Sequence, residues 1–346
     1  MITGHNFCAF SSNLFRSRKK VVCKAASLFA KAPAVFVSLG RMNKINRKQA
    51  IQLLTASGLG MMGLTAFEAP SKMLKRPIPS SGELLPVVGI GSWLQFDVGN
   101  NHKEKQVLTE VLQQVIAGGG KMIDSSPMYG NAEEVIGELI QKLPAPDDFF
   151  YATKVWTSGR EQGIRQMEAS LKKMQRKQMD LMQIHNLSDW ETQLATLTAW
   201  KKEGKIRYIG ITHYTTGMHA SLQKIFEKHL IDFVQLNYSI LTRDAEKSIL
   251  PAAKNKGVAV IINEPLEKGR LFEMVKGRQL PEWAKEYDIG SWAQYFLKYI
   301  ISHPAVNCVI PGTSNPRHAA DNMMAGHGRI PDEAGRQKMA RFLESL

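Results

Sequence analysis

Asp124, Tyr129, Lys154 and His185 each stand at or just beyond the end of a short apolar run: KMID, with SSPMYG following it, carries the first two, FFYATKVW the third and LMQIHN the fourth. Brought to one place, these four side chains could protonate a carbonyl oxygen while hydride arrives at its carbon. A free phenol has a pKa of about 10, so Tyr129 alone is a reluctant donor at neutral pH. An ammonium beside it, Lys154, would stabilise the phenolate and lower that value. Asp124 would hold Lys154 charged and in place, and His185 would donate a hydrogen bond to the carbonyl oxygen as negative charge develops there. Each residue alone has a plainer reading. Asp124 could cap a helix, Lys154 could be solvated, His185 could be a satisfied core residue, and Tyr129-Gly130 could be a turn. The coincidence of all four at strand ends favours the chemical reading.

The elements that must position them are legible as an alternation. Eight β-like runs, VVGIGSW, KMID, FFYATK, MDLMQI, RYIGIT, DFVQLN, VAVIIN and NCVIP, are separated by amphipathic stretches such as EKQVLTEVLQQVIA, AEEVIGELIQKL and WETQLATLTAWKKEG. Eight strand–helix units in about 260 residues predict an α/β fold, a (β/α)8 TIM barrel, whose functional groups gather at the carboxyl ends of the strands. A doubly wound sheet would also alternate, but would place a glycine-rich phosphate loop after its first strand, where only GIGSW stands. KRPIPSSGELLP predicts a small hairpin capping the barrel bottom, and DEAGRQKMARFLESL an extra C-terminal helix. The insert at 264–290 reads either as a lid or as a packed helical excursion.

Charge separates the chain into parts. The formal net charge of +14 is concentrated in residues 1–76, which hold 13 Lys/Arg and one acid, Glu68; the remainder holds 32 basic and 30 acidic residues. A nearly neutral body predicts no nucleic-acid surface. Cys8, Cys23 and Cys308 form neither an even framework nor a Cys-x-x-Cys pair, and the histidines lack ligand spacing, so no metal is expected. Residues 1–41 read as an upstream extension, disordered. Residues 42–76 read as an export signal or anchor: Lys44, Arg47 and Lys48 precede a mildly apolar run from Ala50 to Phe67. Arg47-Lys48 stands where a twin-arginine (Tat) signal has two arginines, so a periplasmic location is expected, with cytoplasmic and organellar locations as alternatives. Membrane contact would come only through that leader. The barrel is assigned to 77–346.

The body resembles the aldo-keto reductase family. Asp124 with the SSPMYGNAEE that follows it (125–134) is similar to the signature around the family's aspartate and catalytic tyrosine, LMQIHN to its histidine strand and IGITHY to its carboxamide-binding strand. VQLNYS matches the strand carrying its glutamine, and VIPGTSNPRHAADN (309–322) its cofactor-phosphate segment; the similarity spans nearly all of 86–325. It implies that Asp124, Tyr129, Lys154 and His185 are the catalytic tetrad and that Thr212, His213 and Gln235 hold the carboxamide of a nicotinamide cofactor. It further implies that Ser92 and Trp93 border nicotinamide and substrate, with Trp156 also facing substrate. Pro265 and Leu266 would join the cofactor contacts. Gly312, Thr313, Arg317, His318 and Asn322 would grip the adenosine end.

Two departures stand out. Asn263-Glu264-Pro265 replaces a tyrosine that often stacks on the nicotinamide. Gly312 replaces the usual lysine, and His318 falls where an arginine is expected, with Arg317 adjacent. The cofactor implied is NADP(H) in preference to NAD(H). The expected activity is NAD(P)H-dependent reduction of a small-molecule aldehyde or ketone. Alternatives are an aldolase using Lys154 as a Schiff-base nucleophile, or a cofactor-binding regulatory barrel. The short NLSDWE loop after His185 predicts a wide mouth, walled by Trp93, Trp156, Tyr129 and Trp190.

Overall fold

The computed structural model describes residues 72–346. The expectations for 1–41 and for the export-like segment through residue 71 lie outside the described residues. A hairpin of β1 (Lys75–Pro77) and antiparallel β2 (Leu84–Pro86) comes first. Eight strands then run parallel: β3 (Ile90–Gly91), β4 (Met122–Asp124), β5 (Phe150–Val155), β6 (Met179–His185), β7 (Ile206–His213), β8 (Phe233–Asn237), β9 (Ala259–Asn263) and β10 (Val306–Val309). Each pairs with the next in sequence, and the bridges Val88–Val309 and Gly91–Gly312 close the first strand onto the last. Glycine permits that seam. A Cβ at Gly91 would sit 3.0 Å from the Ile310 carbonyl oxygen, and one at Gly312 would sit 3.3 Å from that of Gly91. The structure is the (β/α)8 barrel rather than a doubly wound sheet.

Strand parity decides where each side chain goes. Successive residues of a strand point to opposite faces. Ile123, Tyr151, Met182, Ile184, Ile209, Ile211, Val234, Leu236, Val260 and Ile262 therefore join the core between barrel and helices. The alternate residues Met122, Phe150, Ala152, Leu181, Tyr208, Phe233 and Ile261 fill the barrel interior. The hairpin supplies the plug at the bottom, since Ile78 and Leu85 are buried in that same interior cluster. It is pinned there by the Ser81 Oγ to Tyr208 hydroxyl contact of 2.7 Å and by the Tyr208 hydroxyl donating to Glu83 Oε2 at 2.7 Å.

Following the same parity one step up the barrel changes its chemistry. Two residues after Met122, Ala152, Leu181 and Phe233 come Asp124, Lys154, Gln183 and Gln235, all buried. A dry apolar floor thus carries a polar layer directly above it.

The helices bury apolar faces on this frame. Helix α1 (His102–Ala117) starts where Asn101 accepts from the Lys103 and Glu104 amides, and it buries Leu108, Val111, Leu112 and Val115. The extra C-terminal helix extends over Glu333–Glu344, with Asp332 accepting from the Gly335 amide as its cap. Arg336 fastens it to the barrel, donating to Glu246 at 2.6 Å and to the Tyr238 hydroxyl at 2.8 Å. The buried Lys298 ammonium donates to the carbonyls of Tyr287, His327 and Arg329 at 2.6–2.9 Å, tying in the segment that leads to that helix.

The 264–290 insert divides between its two readings. Leu271, Val275, Ala284 and Ile289 pack into the core, so most of it is a helical excursion. Near its start, Lys268 instead reaches toward the barrel mouth. Among the described residues, no helix is long and apolar enough to cross a membrane.

Candidate active site

The polar layer is an ion pair set in a lattice of amides. Lys154, at the end of β5, donates to Asp124 Oδ2 at 2.5 Å and to the Ser125 carbonyl at 2.7 Å. The other Asp124 oxygen accepts from Gln183 Nε2 at 2.7 Å and from Gln235 Nε2 at 3.0 Å. Gln235 Nε2 also reaches Gln183 Oε1 at 3.0 Å, while Gln235 Oε1 accepts from Thr212 at 3.2 Å and from Asn263 at 3.3 Å. A buried ion pair is tolerable only when its remaining lone pairs and protons are satisfied. Here both carboxylate oxygens are.

Tyr129 and His185 stand above this pair. The Lys154 Nζ lies 5.1 Å from the centroid of the Tyr129 ring, and the Tyr129 and His185 rings meet edge to face at 5.8 Å. Ser126 Oγ is 2.9 Å from His185 Nδ1. The four polar residues expected at the strand ends are therefore brought together at the carboxyl ends of β4, β5 and β6.

The electrostatics differ from the sequence expectation at one point. Burial would strip Lys154 of its proton, but Asp124 and Tyr129 outweigh that and hold it above the usual lysine value. Burial is also the largest influence on Tyr129 and raises its phenol above 10, while Lys154 pulls the other way. Lys154 thus lowers the phenol's pKa relative to the same buried site without an ammonium, but the net shift is upward. The phenol is fully protonated at neutral pH, and the ammonium offsets the cost of the charge left behind when it gives up its proton.

His185 is pushed down to about 3 by burial, with Lys154 and His213 adding to the effect, so its imidazole is neutral. The pH–rate profile should accordingly show no limb from His185 between about pH 5 and 8. A limb near pH 6.5 that disappears in His185→Gln would contradict this. The stability linkage has a definite sign. An unfolded histidine takes its proton near 6.5 and the folded one near 3, so the contribution of His185 is complete above pH 6.5 and is lost as pH falls toward 3.

Around this polar centre the mouth is lined with exposed apolar side chains. Trp93 and Trp156 are each 44% exposed, and Leu94, Met128 and Tyr214 also lie open, all in segments that follow barrel strands. The Trp156 ring is 6.4 Å from that of His185. Ser92 is fully buried, donating its hydroxyl to Ser125 Oγ at 3.0 Å and its amide to the Asp124 carbonyl at 3.0 Å. Trp190 packs against the core and meets the His229 ring at 5.3 Å, so nothing places it in the mouth wall. Lys268 reaches over from the insert. Its Nζ lies 5.4 Å from the Trp93 ring and 5.7 Å from the Tyr214 ring, paired with Glu264 at 3.0 Å.

The residues expected to hold a cofactor fall in two groups. Thr212 and Gln235 belong to the amide lattice, and His213 stacks on Tyr214 while its Nδ1 accepts from the Thr215 amide at 3.2 Å. Pro265 is buried, and Leu266 packs against the core where the chain leaves β9. Beside them the Asn263 Oδ1 is buried with no partner among the described residues, an acceptor suited to the amide hydrogens of a carboxamide.

The second group lies beyond β10. Gly312 is exposed and belongs to the barrel seam through its bridge to Gly91. Thr313 accepts from the Asn315 amide at 3.1 Å, and Asn315 accepts from the Arg317 amide at 2.9 Å to cap the helix Pro316–Met324. Arg317 and His318 are exposed on its first turn, and Asn322 is buried on its inner face. A helix N-terminus with an adjacent arginine suits a phosphate.

Gln183, Ser126 and Lys268 did not emerge from the sequence, and Asn263 emerged only as the residue standing in place of a stacking tyrosine. Gln183 stands two residues before His185 and so shares its face, a signal that strand parity carried. A cleft of about 440 Å³ lies against α1, lined by charged residues including Lys105 and Glu138, away from the barrel mouth. A smaller one of about 250 Å³ sits at the ends of β8 and β9, lined by Asn237, Glu264, Glu267 and Lys268. Among the described residues, no group of His, Cys, Asp or Glu is gathered to hold a metal ion, and Cys308 is buried in the barrel with its thiol pushed up.

Comparison with known proteins places this geometry. The sequence profile described as the aldo/keto reductase family matches residues 87–337. The Escherichia coli protein named methylglyoxal reductase YeaE is 29% identical over 266 residues, covering 72% of this chain and 89% of its own. A second Escherichia coli protein, named NADH-specific methylglyoxal reductase, is 26% identical over 259 residues, covering 66% of this chain and 78% of its own. Among solved structures, an aldo/keto reductase from Klebsiella pneumoniae, in complex with NADP and acetate, superposes with a TM-score of 0.64 at 24% identity. It covers 76% of this chain and 93% of its own.

Proposed function

The chain belongs to the aldo/keto reductase family, and on that premise we propose that Tyr129, Lys154, Asp124 and His185 carry its reaction. The activity is NAD(P)H-dependent reduction of an aldehyde or ketone. The observation that carries the assignment of residues is the buried Lys154–Asp124 pair beneath the Tyr129 ring. Bound at the mouth, a reduced nicotinamide supplies the hydride that the carbonyl carbon accepts.

The chain's own residues do the rest. Asp124, fixed by two glutamine amides, keeps Lys154 charged. Lys154 stabilises the phenolate left when Tyr129 passes its proton to the carbonyl oxygen. Neutral His185 orients that oxygen by hydrogen bonding. Asn263, Thr212, His213 and Gln235 would border the nicotinamide carboxamide, with Ser92, Pro265 and Leu266 beside it. The helix N-terminus at Thr313–Arg317, with His318 and Asn322, would take the adenosine end. A phosphate on that end would find Arg317, which supports NADPH as the preferred cofactor and NADH as the second.

A Schiff-base role for Lys154 requires a neutral amine at neutral pH. The Asp124 pair, which raises the lysine, opposes that. For substrate, Trp93, Trp156, Leu94 and Met128 form a wall suited to an apolar carbonyl compound, whereas the two Escherichia coli relatives are named for methylglyoxal. Oxidation of NADPH and of NADH, followed by loss of the reduced-nicotinamide absorbance, should be fastest with aromatic aldehydes and NADPH. No turnover with any member of an aldehyde and ketone panel would remove the reductase assignment.

The leader completes the proposal. Arg47-Lys48 followed by the apolar run to Phe67 supports export by a twin-arginine route, a path that carries folded protein and so permits the cofactor to be bound first. Finding the full chain in the cytosol of fractionated cells would contradict it.

A further inference from the structure

Three consecutive residues at the end of β4 each hold a different part of the site. Asp124 receives the Lys154 ammonium on its carboxylate, Ser125 receives it on its carbonyl, and Ser126 meets His185 Nδ1 at 2.9 Å. Ser126 is fully buried and His185 nearly so. Pro127 follows, which restricts Ser126 to an extended backbone and narrows where its hydroxyl can point.

A neutral imidazole carries one hydrogen, and the partner of one ring nitrogen decides the state of the other. Ser126 Oγ accepts from the Met128 amide at 3.4 Å. Among the described residues, His185 Nδ1 is the only acceptor within reach of the Ser126 hydroxyl hydrogen. Were Nδ1 itself protonated, Ser126 Oγ would have to accept twice, and its own hydrogen, fully buried, would point at nothing. The opposite arrangement leaves every group paired. Nε2 makes no hydrogen bond to any described residue.

We propose that Ser126 is a positioning residue for His185: its hydroxyl donates to Nδ1, so the ring hydrogen resides on Nε2, free for a substrate carbonyl oxygen. In the other tautomer Nε2 would present a lone pair to an oxygen gaining negative charge and repel it. The same contact fixes the ring plane against Tyr129, so proton donor and hydrogen-bond donor address one oxygen from fixed directions. The inference rests on the reductase reading for its consequence, but the tautomer itself does not depend on turnover.

The test begins with the wild-type protein. In a 15N-histidine long-range correlation spectrum at neutral pH, His185 should show a protonated Nε2 and a bare Nδ1. A protonated Nδ1 would overturn the proposal. In Ser126→Ala, kcat is expected to fall about tenfold, the effect of one lost neutral hydrogen bond. The Kd for NADPH should not change, and Ser126→Thr, which keeps the hydroxyl, should recover most of the rate. An unchanged kcat in Ser126→Ala would overturn the positioning role even with the expected tautomer. Should Ser126→Ala fail to fold, the wild-type spectrum still decides. Failure of the reductase reading would show separately, as absent turnover in the wild type with the His185 signals as expected.

Discussion

Tyr129→Phe should lower kcat for carbonyl reduction by at least about two orders of magnitude, since a positioned proton donor contributes about 10²–10⁴. The change removes one oxygen and keeps the ring that meets His185 at 5.8 Å, so the fold and the apolar mouth should survive. Because the phenol is placed to act on the substrate oxygen, the Kd for NADPH should stay within about twofold. Stopped-flow reduction of an aromatic aldehyde, paired with fluorescence titration of the cofactor, reads both quantities. A variant that retains wild-type kcat would remove Tyr129 from the reaction and leave His185 as the remaining donor.

Lys154→Met should be as damaging to rate, and unlike Tyr129→Phe it should also damage stability. The Lys154 Nζ lies 5.1 Å from the centroid of the Tyr129 ring, and a unit charge about 5 Å from the forming negative charge is worth roughly 3 kcal/mol at an effective dielectric of about 20, or about two orders of magnitude in kcat. The stability loss has a different origin. Asp124 is left buried and charged without its counterion, which costs about 3–5 kcal/mol when one partner of a buried pair is removed. The hydrogen bonds from Gln183 and Gln235 place this site at the lower end of that range. Thermal unfolding should therefore show a clear drop in Tm for Lys154→Met. Asp124→Asn combined with Lys154→Met should recover much of the Tm while kcat stays low. Recovery of both together would show that Lys154 acts only by supporting the fold.

Much of this arrangement is legible in the residues alone. Parity places Asp124 and Lys154 on inward faces at strand ends, the turn residues in KRPIPSSGELLP mark the plug, and the amphipathic pattern in DEAGRQKMARFLESL marks the last helix. What is not legible depends on distance and burial. Gln183 and Gln235 lie on different strands, so their convergence on one Asp124 oxygen follows from barrel closure, which no local pattern records. The net rise of the Tyr129 phenol depends on how completely the mouth buries it, while composition shows only that a lysine is available to oppose it. Lys268 reaches Trp93 because Glu264, Glu267 and Lys268 all take left-handed backbone conformations, with φ of 48°, 48° and 54°, a path that non-glycine residues rarely adopt and no motif announces. Trp190 shows the reverse error: an aromatic near His185 in sequence suggests a wall of the mouth, but the helix it begins turns it toward the core.

The ammonium of Lys154 makes the phenol of Tyr129 easier to ionise than burial alone would allow. The direct measurement is the titration of Tyr129, followed by 13Cζ-tyrosine NMR, in the wild type and in Lys154→Met. The phenol should titrate above 10 in the wild type and higher still in the variant. A Tyr129 that titrates at the same pH in both proteins, or at a lower pH in the variant, would contradict the mechanism.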